Sequence, residues 1–180
     1  MKSRKYILLL LLMSVVYISS TCEKMTQDDN FSMNKSSYTG NELRMDGYYY
    51  FMTGDNLHYT YFFYRNGIII HGGGNAPNTS PIEFVENQFI SENYLKSLKD
   101  HKTAWGIFQI TGNKIEFERW YPSSGGLTPA YIRSGEILND TTFVITKSVR
   151  AKTGEEKELN EIYHFKEFSP KPDSTNSFIK

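Results

Sequence analysis

HYTYFFYRNGIIIHG, residues 58–72, sets two runs of aromatic and β-branched residues on either side of Asn66-Gly67. Both central positions of a type I′ turn need positive φ, which Asn and Gly tolerate, so the stretch predicts a β-hairpin. The same pattern repeats outward. Runs rich in Tyr, Phe, Ile, Val and Thr fall near residues 45–52, 58–65, 67–72, 103–110, 114–120, 130–138, 142–149 and 160–168. Gly112-Asn113 separates the fourth from the fifth, Asn139-Asp140 the sixth from the seventh, and Thr153-Gly154 lies between the last two. Consecutive hairpins make a meander. Eight meandering strands with short turns favour closure into an antiparallel up-and-down barrel, because closure removes exposed sheet edges. A two-sheet sandwich is the rival with the same turn spacing.

One segment breaks the β rhythm. Ser80-Pro81-Ile82-Glu83 reads as a capping box with proline at the first helical position, and Ile82, Val85 and Phe89 follow at helical spacing. Ser91-Glu92 starts a second helix with Tyr94, Leu95 and Leu98 on one face. This insert, about residues 80–100, could cover a barrel mouth as a lid, plug the outside, or simply pack.

The N-terminus carries Lys2, Arg4 and Lys5, then an apolar stretch from Tyr6 to Ile18 broken only by Ser14. A stretch of about 13 residues is too short to span a bilayer and suits a signal-peptide core. Ser19-Ser20-Thr21-Cys22 resembles the lipobox of bacterial lipoproteins in a relaxed form, with Ser19 where that box prefers leucine. The resemblance implies a lipoprotein signal peptide over 1–21, lipidation of Cys22, a membrane anchor, and a place in the bacterial cell envelope, at the outer membrane on its periplasmic or surface face. The alternative is an ordinary secretory signal followed by a free thiol. Cleavage before Cys22 removes three basic residues and no acidic one, leaving 17 basic against 20 acidic. Residues 22–42 read as a flexible tether, 43–169 as the barrel domain, and 170–180 as an extended or loosely docked tail.

Composition narrows the chemistry. The 180 residues have a formal net charge of zero and no long basic run, which argues against nucleic acid. One cysteine permits neither an internal disulfide nor a cysteine-based zinc site. His58, His71, His101 and His164 show no metal-ligand spacing, and neither a metal nor a cofactor is expected. His71-Gly72-Gly73-Gly74 matches the oxyanion-hole run of some esterases, but no Gly-X-Ser-X-Gly elbow accompanies it and no phosphate loop follows. Glu116 and Glu118 alternate with Trp120 on one strand face, a pattern that usually marks a solvated surface. The expectation is a protein that is not an enzyme.

Alternation sorts the strand faces. Ile115 and Phe117 share a face with Arg119, and Phe143 and Ile145 share one with Lys147. Tyr59, Tyr61 and Phe63 oppose Phe62 and Tyr64, while Trp105 and Ile107 oppose Phe108 and Ile110, so both faces of these runs are apolar. Eight meander strands, the two-helix insert and Gly47-Tyr48-Tyr49 opening the first strand resemble the calycin group, specifically lipocalin-like and fatty-acid-binding-like barrels. Tyr49 stands where lipocalins carry tryptophan, and the helices follow strand three instead of strand one. The resemblance implies an all-β, eight-stranded lipocalin-like barrel acting as a non-catalytic binding module for a small hydrophobic or amphipathic ligand. The lining expected for it is Arg119, Phe117, Ile115, Tyr59, Tyr61 and Trp105. An inward Arg119 would clamp a ligand carboxylate, as in fatty-acid-binding barrels; otherwise it would reach solvent or pair with Glu118 or Glu136. The alternative function is an envelope interaction protein with a filled barrel and a protein or glycan partner.

Overall fold

The computed structural model describes residues 29–53, 57–75 and 80–180; the signal segment and Cys22 lie outside the described residues. Eight antiparallel strands follow the turn residues: β1 (Gly47–Met52), β2 (Leu57–Phe63), β3 (Ile68–Asn75), β4 (Trp105–Thr111), β5 (Lys114–Trp120), β6 (Ala130–Asn139), β7 (Thr142–Arg150) and β8 (Glu156–Glu167). Each pairs with its sequence neighbours, and β1 pairs with β8, so the sheet closes into a barrel and the sandwich is excluded. Gly67, with φ +80°, turns β2 into β3, and a Cβ there would lie 2.1 Å from the Ser36 carbonyl oxygen. Only glycine satisfies both demands.

Register separates two apolar layers. Tyr49 opposes Tyr61, Phe63 opposes Ile69, Phe108 opposes Phe117, and Phe143 opposes Tyr163; these side chains meet in the barrel interior. The alternate residues Tyr48, Phe62, Ile68, Ile70, Trp105, Ile107 and Trp120 form a second buried cluster on the outside of the wall. That outer layer explains why several strands are apolar on both faces. It is covered by α1 (Pro81–Ile90), α2 (Glu92–Asp100) and a 3-10 turn (Lys102–Ala104). Phe89 of α1 packs edge-on against Phe62 at 4.7 Å, and the Trp105 indole N–H donates to the Leu98 carbonyl of α2 at 2.9 Å. The insert is therefore an outer plug. Pro81 opens α1 as expected, but Ser80 makes no side-chain cap, so the capping box is not formed.

Three further expectations are corrected. Residues 29–42 are not a free tether. Phe31 stacks on Trp120 at 3.8 Å, Tyr38 and Leu43 enter the interior cluster, and the Ser32 and Met33 amides donate to the Glu118 carboxylate at 2.7–3.0 Å. The stripe of Glu118 and Trp120 is thus the berth of the N-terminal segment, while Lys114 and Glu116 of that face are exposed. The tail is docked: Lys171 donates to the Met45 and Phe63 carbonyls, Tyr64 donates to the Pro172 carbonyl, and Phe178 and Ile179 join the outer cluster. Lys147 is the third correction. A bulge between Ile145 and Lys147 reverses the alternation, so Ser148 pairs with Arg133, while Lys147 turns out to an ion pair with Glu156 at 2.6 Å.

Candidate ligand site

The interior has two ends of different chemistry. Toward the β2–β3 and β6–β7 turns it is a dry aromatic pack, in which Phe63 meets Phe108 at 5.0 Å and Tyr49 meets Phe143 at 5.2 Å. Toward the β5–β6 loop, β5 and β6 run on past their apolar residues and present Arg119 and Arg133. Arg119 follows Ile115 and Phe117 at period two, and the alternation places it inside, with its residue 3% exposed.

Arg119 donates through Nε to the Tyr61 hydroxyl at 3.2 Å and through Nη1 to the carbonyls of Thr103 and Trp120 at 3.0 and 3.3 Å. Its guanidinium lies 3.7 Å from the centroid of Tyr121. Among the described residues no carboxylate pairs with it: Glu118 faces outward to Ser32, and Glu136 is an exposed residue opposite Lys114. Burial opposes the guanidinium charge, yet the phenolic oxygens of Tyr121 and Tyr61 outweigh it and raise the pKa, so Arg119 stays protonated.

Arg133 has the partner that Arg119 lacks. Its Nη1 meets the Glu161 carboxylate at 2.5 Å, both side chains being 13% exposed, and Glu161 also accepts the Tyr163 hydroxyl at 2.9 Å. Arg133 Nε is buried without a hydrogen bond, and the guanidinium stands 5.3 Å from the Tyr121 ring centroid. Burial, first, and the neighbouring Tyr61 and Glu161 push the Tyr163 hydroxyl well up; Tyr121 is also raised by burial, with Arg119 pulling the other way. Both phenols are neutral donors at any ordinary pH. Among the described residues, two guanidinium groups and one carboxylate leave one net positive charge in this end of the barrel. A buried charge without an opposite partner is costly unless something supplies one.

The structure brings together Arg119, Tyr61 and Phe117, and places Tyr59 on the same face, stacked with His71 at 5.9 Å, whereas Ile115 lies further along β5 opposite Ile110, in the interior cluster toward the β4–β5 turn. Trp105 is not brought there; it belongs to the outer cluster beneath α2. Sequence reasoning missed Arg133, Tyr121, Glu161 and Tyr163 as a group. Arg133 alternates with Tyr131 as Arg119 does with Phe117, but the bulge opposite it hides the common face. Among the described residues no group of three His, Cys, Asp or Glu side chains could hold a metal, and no helix is long and apolar enough to cross a membrane. Compared with known families, characterised proteins and solved structures, the chain shows no match, so the geometry of the barrel and of its arginine end carries the functional argument.

Proposed function

We propose that this barrel is a non-catalytic binding module for a small amphipathic acid, held in the cell envelope by a lipid on Cys22, at the outer membrane. The observation that carries it is Arg119: a buried, inward guanidinium with neutral hydrogen-bond partners and no acid among the described residues. A carboxylate supplies the missing charge and forms stronger, charge-assisted hydrogen bonds than the carbonyls it displaces. Lipocalin-like kinship is part of the same reading, and the up-and-down topology supports it.

Native mass spectrometry of the purified protein, followed by organic extraction, tests it. A retained acid that is lost in Arg119→Met supports the reading. A clean apo mass together with no uptake of fluorescent carboxylate probes sinks it. The filled aromatic end and the exposed Ile90 and Leu138 favour a second reading, in which the barrel is only a scaffold for an envelope protein or glycan partner.

A further inference from the structure

The barrel wall is incomplete beside Arg119. β3 pairs with β2 as far as Asn75, but with β4 only from Ile68 to Ile70, opposite Ile107 to Trp105. Beyond that point the chain has left for the helices, and it returns through the 3-10 turn Lys102–Ala104, which cannot continue a β ladder. Outside the turn lies a groove of about 200 Å³ between Gly72 and Gly73 of β3, Tyr94 and Ser97 of α2, His101 just past that helix, and Thr103. Its β3 wall stays bare because a Cβ on Gly72 would come within 2.4 Å of the Phe89 ring. Inside the turn, Arg119 Nη1 donates to the Thr103 carbonyl at 3.0 Å. One peptide therefore separates the groove from the buried guanidinium.

We infer that the acid binds at this seam: its carboxylate replaces the Thr103 carbonyl on Arg119, and its body lies in the groove outside the wall. This rests on the reading of Arg119 as an anion receptor. The interior cannot take the body without repacking, since Tyr61, Phe117, Phe143 and Tyr163 already touch, with ring centroids 4.8 Å apart for Tyr61–Phe117 and Phe143–Tyr163. The groove is smaller than the roughly 300–1,000 Å³ of pockets for drug-sized ligands, so the ligand class is a small monocarboxylate about the size of benzoate. Exchange of a neutral acceptor for a charged one drives displacement of the turn, and the same exchange removes the uncompensated charge.

Titration of the full chain in detergent with sodium benzoate, followed by NMR, tests the site. The expected result is a shift of the Arg119 Nε signal and of amides 71–73 and 102–105, with contacts between benzoate ring protons and the Tyr94 ring. Ser97→Trp, on the exposed face of α2, fills the groove and is expected to weaken benzoate binding at least tenfold with the thermal midpoint unchanged. Should Ser97→Trp bind benzoate as tightly as the unaltered chain while Arg119→Met does not, the seam is wrong and the acid is received from the interior. Absence of any benzoate shift also overturns the seam site; whether Arg119 receives a different acid is then read separately from the extraction experiment.

Discussion

The two ends of the barrel interior are built from the same strands with the same alternation, yet only one of them is made for stability. At the aromatic end, Phe63, Phe108, Phe143 and Tyr49 bury their rings against one another, and each contributes through area removed from water and close packing. At the other end, Arg119, Arg133, Glu161 and Tyr121 fill the space with charge and hydroxyls, and among the described residues Arg119 finds only neutral oxygens. A barrel needing nothing but a core would repeat the first solution at both ends. The contrast shows that stability alone does not explain the arginine end, and it is this end to which the proposed acid-binding role is assigned.

The largest effect should come from the aromatic end. Phe63→Ala leaves a cavity among Tyr49, Phe108 and Phe143 and should lower unfolding free energy by about 3–5 kcal/mol, read from denaturant midpoints. Next comes Glu161→Gln, which strands Arg133 beside Arg119 and should cost about 3 kcal/mol, because removing one partner of a buried pair leaves a bare charge. Arg119→Met should shift stability by no more than about 1 kcal/mol in either direction, since the relief of burying a charge offsets the hydrogen bonds lost. If Arg119→Met were as damaging as Phe63→Ala, the contrast would collapse and Arg119 would be a structural keystone.

Smaller effects belong to the outside. Glu118→Gln keeps the shape of the acceptor but removes its charge, and should weaken docking of the N-terminal segment by about 1–2 kcal/mol, seen as faster proteolysis within residues 29–37. The smallest is a pH effect at the tail. Burial holds Lys171 down to about 8. Its unfolded value is higher, so between about pH 8 and 10 the unfolded chain binds more protons and stability rises with pH. Lys171→Met should flatten that slope in thermal melts across the window.

Much of the fold was legible locally. Strand after strand, period-two runs end at Asn66-Gly67, Gly112-Asn113 or Asn139-Asp140, and those residue types act through φ/ψ preferences that need no tertiary partner. Sequential hairpins then leave few topologies, and closure follows from the need to cover edges. The inward course of Ile115, Phe117 and Arg119 was readable for the same reason, because β5 is paired without a bulge.

The rest depends on what meets what. Trp105 sits in a strand apolar on both faces, and only the covering helices decide that its ring faces out beneath Leu98. Lys147 obeys the alternation until one extra residue of β7, Thr146, opposite the Ser134–Gly135 step of β6, reverses it. Phe31, Met33 and Tyr38 are too sparse among polar neighbours to signal packing; the first two dock because Trp120 and Glu118 wait on a strand far along the chain, and Tyr38 because Phe108 does. The sequence by itself determined the eight strands, their order and the insert, since alternation and turn chemistry are properties of neighbouring residues. Only the tertiary structure decided that Arg119 meets no acid among the described residues while Arg133 holds Glu161, because charge compensation is fixed by distances across the barrel between residues that share no local pattern.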